Sequence, residues 1–138
     1  MLEIAGRSIG GLCSTILEFG AGMGLEELIL RHAVGAEIPS WERDAHAVGV
    51  MMIPIPTAGI LKAVYGVEQA TATPLITGVE ITAKLHHHLV PLPEGASYLG
   101  FIFARGENPT DVEAALRQAH QCLHFEVRRE IPMLNGIL

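Results

Sequence analysis

Positive charge is scarce in this sequence. Nine Lys and Arg stand against fifteen Asp and Glu, a formal net charge of -6. A nucleic-acid or anionic-membrane surface is therefore not expected. No apolar run approaches the roughly 18 residues of a membrane span. Glu3 lies among the first residues and no basic segment precedes an apolar stretch there, so a signal peptide is not expected and a cytoplasmic location is. Cysteine is nearly missing too. Cys13 and Cys122 are far apart and fit no metal or redox spacing. They read as reduced thiols packed like small hydrophobes. Internal repeats and low-complexity tracts are lacking as well.

What is present is apolar. Hydrophobic residues make up 49% of 138 residues and charged ones 17%. That suffices for one domain with a real core and makes disorder unexpected. The mean hydropathy of +0.36 is high for a domain of this size. It predicts apolar surface that meets a partner, and hence a homodimer of the chain.

Residues 97–111 organise the rest. The run 98–104 carries no charge and is bounded by Gly95 and Gly106, the mark of a strand covered on both faces. Asn108 then suits a helix cap, Pro109 the first helical position, and Asp111 the positive end of the helix dipole. Val112, Ala115, Leu116, Ala119 and Leu123 recur at helical spacing. Phe125 and Val127 alternate with Glu126 and Arg128, which reads as a final strand.

Upstream, Leu2, Ile4 and Ile9 suit a strand ended by Gly10 and Gly11. Leu12, Ile16, Leu17 and Phe19 suggest a short helix, and Leu25, Leu28, Ile29 and His32 a second one closed by Gly35. Trp41 lies in a loop and is expected to tuck into a groove. Residues 47–55 read as a buried strand and 60–65 as a second, with Gly59 and Gly66 suiting a hairpin or bent ribbon. Residues 67–72 suit a turn or two of helix. Residues 79–85 alternate strictly, with Glu80, Thr82 and Lys84 on the polar side. From Ile60 the order is β, α, β, β, α, β. The expected architecture is α+β: an N-terminal helical segment, residues 1–46, then a split βαβ, ferredoxin-like antiparallel sheet with a packed helix, residues 47–138.

The candidate chemistry is thin. His86-His87-His88 is conspicuous, but neighbours in an extended chain point to opposite sides and no Cys, Asp or Glu follows closely. A solvated turn is the plainer reading. His120 and His124 stand four apart on a helix, but Gln121 occupies the place a zinc-site Glu would take. Cys13 follows a glycine pair at a helix start, where a thiolate is stabilised, yet no partner His is evident. Gly10-Gly11 could turn backbone N–H groups toward an anion. Glu3, Ala5 and Arg7 would share one side of a strand, placing a carboxylate and a guanidinium together.

In combination these stretches resemble a known family. Glu3-Ile4-Ala5-Gly6-Arg7-Ser8-Ile9-Gly10-Gly11 is similar to the last catalytic strand of ATP-grasp ligases, Glu-x-Asn-x-Arg followed by glycines. Val50-Met51-Met52-Ile53-Pro54, Pro91-Leu92-Pro93-Glu94-Gly95 and residues 98–106 resemble the C-terminal region of the L-amino-acid ligase and biotin-carboxylase-like branch. The resemblance implies an ATP- and magnesium-dependent carboxylate–amine ligase that works through an acylphosphate. It implies Glu3 as the magnesium ligand and Arg7 as the catalytic contact to phosphate or substrate carboxylate. Gly10 and Gly11 would be the glycine turn beside cofactor and substrate. Ala5 departs from the pattern, where an asparagine usually adds a metal contact.

In that family the adenine pocket and the phosphate-gripping lysine precede this strand, whereas Lys62 and Lys84 are the only lysines here and neither follows a glycine-rich loop. The chain is thus expected to be the C-terminal portion of such a ligase, inactive alone and binding neither ATP nor Mg²⁺ tightly. Its expected partner is the missing N-terminal portion or a second copy of itself. The alternative is a free-standing interaction or small-ligand module that reuses the fold.

Overall fold

The structure is a computed structural model that describes residues 10–20 and 22–129. It is a mixed α+β fold with three small antiparallel sheets. A 3-10 turn, Cys13–Ile16, leads into a two-stranded ribbon of β1 (Glu18–Phe19) and β2 (Met23–Gly24). Helix α1 (Leu25–Ala33) follows. Strands β3 (Ala47–Ile53), β5 (Ile76–Ile81) and β7 (Gly100–Gly106) form one sheet in the order β3-β7-β5. Strands β4 (Gly59–Tyr65), β6 (His88–Leu89) and β8 (His124–Arg128) form another in the order β6-β4-β8. Helices α2 (Val67–Thr71) and α3 (Pro109–Cys122) complete the described chain.

Local chemistry explains several elements. Asn108 caps α3, its side-chain oxygen accepting the Asp111 N–H at 2.9 Å, and Pro109 opens the helix. At the end of α1 the N–H of Gly35 donates to His32 O and that of Ala36 to Arg31 O, with Gly35 at φ +68°. That pair of bonds is a Schellman closure, and the left-handed φ is why glycine stands there.

The core lies between α3 and one face of the β3-β7-β5 sheet. Ile53, Ile102 and Ala104 meet Val112, Leu116 and Ala119, and Leu61 and Leu89 extend the cluster toward the other sheet. In the antiparallel register Gly49 opposes Ala104 and Met51 opposes Ile102, so these residues share the helix-facing side. The other side carries Val48, Val50 and Met52 opposite Arg105, Phe103 and Phe101. Residues 11–16 lie against that second face. The strand 98–104 expected from sequence is thus real, shifted to Gly100–Gly106, and covered on both sides.

Several expectations are corrected. The order β, α, β, β, α, β occurs as β4-α2-β5-β7-α3-β8, but it does not close into one ferredoxin-like sheet. That arrangement needs β4 beside β7. Here β7 is flanked by β3 and β5, and β4 by β6 and β8, so neither has an edge for the other. Strand β3 takes the edge of β7 that β4 would need, and β4 pairs with β6 and β8 instead. The described part of the N-terminal stretch, residues 10–20 and 22–46, is no continuous helical segment either. Glycines 20, 22 and 24 favour a ribbon over a continuous helix, and among the described residues of this stretch only α1 is helical beyond one turn. The strict alternation over 79–85 does not make a strand of that length. β5 ends at Ile81 because the N–H groups of Thr82 and Ala83 both turn to Leu99 O. Trp41 is 59% exposed and meets His32 edge-on at 5.5 Å instead of filling a groove.

Candidate functional site: a cavity on the second face of the sheet

The second face of β7 is lined by aromatic residues. Phe101 stacks with Phe103 at 6.4 Å and meets Tyr98 at 6.2 Å. Phe101 remains buried, at 7% exposure, because the chain at Gly10-Gly11 passes over it. Gly11 has φ +63°, and a Cβ there would lie 3.2 Å from the Phe101 ring. Both the backbone conformation and the closeness call for glycine.

Beside this contact opens a cavity of about 800 Å³. Gly11 and Leu12 form one wall and Tyr98 and Phe101 another. Glu80, Thr82 and Lys84, the polar side of the alternation at 79–85, face this cavity, as do His87 and His88. The volume is in the usual range for small-molecule sites. The histidine turn is held by its backbone: His86 N–H donates to Leu61 O at 2.7 Å, and Leu61 N–H donates to His87 O at 3.2 Å. His86 takes φ +65°, a conformation uncommon outside glycine and asparagine.

A charged cluster pins the N-terminal segment to the other end of the same face. Arg105 on β7 donates from Nη1 to Glu18 at 2.7 Å and from Nη2 to Asp44 at 2.6 Å. Asp44 also accepts the backbone N–H of His46 at 2.7 Å, and the His46 ring lies 2.5 Å from it. The His46 backbone N–H, then the His46 ring, and the Arg105 charge together pull the Asp44 carboxyl down to about 2. Its hydrogen bond to Glu18, with the nearby Asp44 charge, holds Arg105 above its ordinary value. Buried Ser14 donates to Glu26 of α1, and that bond lowers the Glu26 pKa. Arg105 and Ser14 therefore tie the segment 12–18 to the sheet and to α1.

The sequence-predicted site residues divide. Glu3 and Arg7 lie outside the described residues. Gly10 and Gly11 form an exposed turn, of which Gly11 lines the cavity. Among the described residues no three His, Cys, Asp or Glu converge to hold a metal ion. His120 and His124 part company: His120 lies in the last turn of α3, while His124 opens β8 and stacks on Tyr65 at 6.2 Å. Cys13 and Cys122 are half-buried free thiols. The cluster of Glu18, Asp44 and Arg105 had no sequence signal, since 87 and 61 positions separate Arg105 from its two acids.

A solved structure of L-amino acid ligase from Bacillus licheniformis has a similar fold, with a TM-score of 0.65 and 20% identity. The match covers 78% of this chain but 27% of that ligase, so the chain spans about a quarter of its length. No curated protein matches the chain. No helix among the described residues is long and apolar enough to cross a membrane. Residues 51–128, from β3 to the end of β8, match the L-amino acid ligase C-terminal domain 2, and the chain belongs to that family.

Proposed function

We propose that the chain serves as the C-terminal portion of an ATP-grasp carboxylate–amine ligase, one that activates a carboxylate as its acylphosphate for attack by an amine. The observation that carries this is the family match over β3 to β8. The placement of Gly10-Gly11 supports it. Gly11, in the turn that in the ATP-grasp pattern follows the catalytic strand, lines the cavity and lies against Phe101.

Among the described residues, Lys84 lines the cavity and follows a strand and not a glycine-rich loop. In this reading the chain forms a substrate-side wall, Glu3 serves as magnesium ligand and Arg7 as the contact to phosphate or substrate carboxylate, and the partner is the rest of the ligase.

A chimera tests this: the chain replaces the corresponding portion of the Bacillus licheniformis ligase. The expected result is ATP-dependent phosphate release stimulated by mixed L-amino acids, with none from the chain alone. A folded chimera without amino-acid-dependent release refutes the reading. Micromolar Mg-ATP binding by the isolated chain, lost on Glu3→Ala, would show instead a compact enzyme complete in itself.

A further inference from the structure

Helix α1 leaves most of its apolar side chains in water. Leu28 is its one buried residue. Ile29 is 42% exposed, Leu30 65% and Val34 77%. Ala33 is exposed as well. These four residues form one patch, because Ile29 and Ala33 stand one turn apart, as do Leu30 and Val34. Val34 stays in line because its N–H donates to Leu30 O at 3.1 Å. A helix of nine residues draws most of its stability from burying such a face. Here the buried side is a single leucine, and the wider apolar side is open. At about 100° per residue, Glu27 and Arg31 follow Leu30 and Val34 round the helix. They therefore border the patch on one side, where they pair at 2.7 Å and both stay half-exposed.

We infer that this face of α1 is a dimer contact, and that it takes α1 of a second copy of the chain, laid antiparallel across a two-fold axis. The charges select that occupant. A two-fold axis perpendicular to the helix brings the Glu27–Arg31 border against the same border running the other way. Glu27 of each copy then lies toward Arg31 of the other, and two intrahelical pairs close into a ring of four alternating charges. A parallel copy would set that border against the side of Leu25 and His32 and gain no such ring. The first turn of α1 is acidic and the last is basic. Antiparallel pairing therefore also sets each acidic end beside a basic one, with the helix dipoles opposed. Nine residues span about 14 Å. The contact thus falls below the roughly 800 Å² per partner of a standard interface, and the dimer is a weak one in exchange with monomer. This contact goes beyond the ligase reading and does not depend on it.

Sedimentation equilibrium of the intact chain from about 5 to 500 µM tests this. The mass is expected to rise with concentration from 14.8 kDa toward twice that value. Leu30→Glu should keep the monomer mass throughout, and because Leu30 is exposed this variant should melt with the wild type. Glu27→Lys makes the border wholly positive and Arg31→Glu makes it wholly negative, and each should weaken association at least about tenfold. An equimolar mixture of these two variants should associate as the wild type does, since the antiparallel contact then sets a positive border against a negative one. Mixing cannot repair a helix weakened within each chain, so the rescue reports the contact itself. A monomer at every concentration overturns the inference. So does Leu30→Glu associating like the wild type, or a mixture no tighter than its components. A chain that stays monomeric but binds the N-terminal portion of the Bacillus licheniformis ligase, with that binding lost on Leu30→Glu, also overturns it and gives the face to the rest of the ligase.

Discussion

Adding one methyl group at Gly49 tests whether α3 and the β3-β7-β5 sheet are packed as described. A Cβ there would lie 2.8 Å from both Leu116 Cδ1 and Val112 Cγ1. The backbone is not the obstacle, since Gly49 sits in extended β3 without a positive φ. The end of Leu116 has some freedom to swing. Val112 has little, because a β-branched side chain within a helix is held to one rotamer, and both residues are buried. Overpacking of this kind costs about 1–3 kcal/mol. Against it stands a gain of about 0.4–1 kcal/mol from restricting the unfolded chain. Gly49→Ala should therefore lose about 1–2 kcal/mol net and lower Tm by about 3–8 °C. Gly78 in β5 is the internal control. Its Cβ would meet Phe103 at 3.6 Å, an ordinary contact. Gly78→Ala should be neutral or stabilising by up to about 1 kcal/mol. Urea unfolding measures both. The loss at Gly49 should also shrink in a Val112→Ala background, a coupling expected only of touching residues. Gly49→Ala as stable as the wild type, or both substitutions moving the same way, would refute this packing.

Three further outcomes follow from the same geometry. Phe101→Ala should cost about 3–5 kcal/mol in chemical denaturation, because the ring is buried under Gly11; a loss below about 0.5 kcal/mol would place β7 outside the core. Asp44 carries a depressed pKa, about 2 against an ordinary 3.8, so its contribution to stability is present above pH 4 and lost as pH falls from 4 through 2. Thermal melts across that window should show a steeper acid decline in the wild type than in Asp44→Asn, and identical slopes would remove Asp44 from the account. Asn108→Ala should lose about 1 kcal/mol through the α3 cap, with Asn108→Asp close to wild type by the same unfolding assay.

Much of the secondary structure was legible because its causes are local. Asn108, Pro109 and Asp111 start α3 within four residues, and Gly35 stops α1 by a bond pattern that spans one turn. The alternation at 125–128 marks β8 for a similar reason, since side-chain period and exposure agree along the strand. The alternation at 79–85 misled because it continues past the point where the backbone turns to Leu99. Its polar side still carried meaning: Glu80, Thr82 and Lys84 face one cavity.

The sequence by itself determined where the locally capped helices α1 and α3 lie, which of their faces are apolar, and the family through the pattern of residues 51–128. It did not determine strand partners. Any apolar strand of suitable length offers β7 the same backbone hydrogen bonds, and the choice of β3 over β4 is made by packing. Gly49 lets α3 approach β3 closely, and β6 occupies the edge of β4 that β7 would need. Nor did it determine the cavity. Gly11, Glu80, Lys84 and Phe101 come from separate segments and meet only after β5 and β7 pair and the N-terminal turn is laid across them. Arg105 binds Glu18 and Asp44 for the same reason: contacts across 87 and 61 positions depend on the completed sheet and leave no periodic trace in the chain.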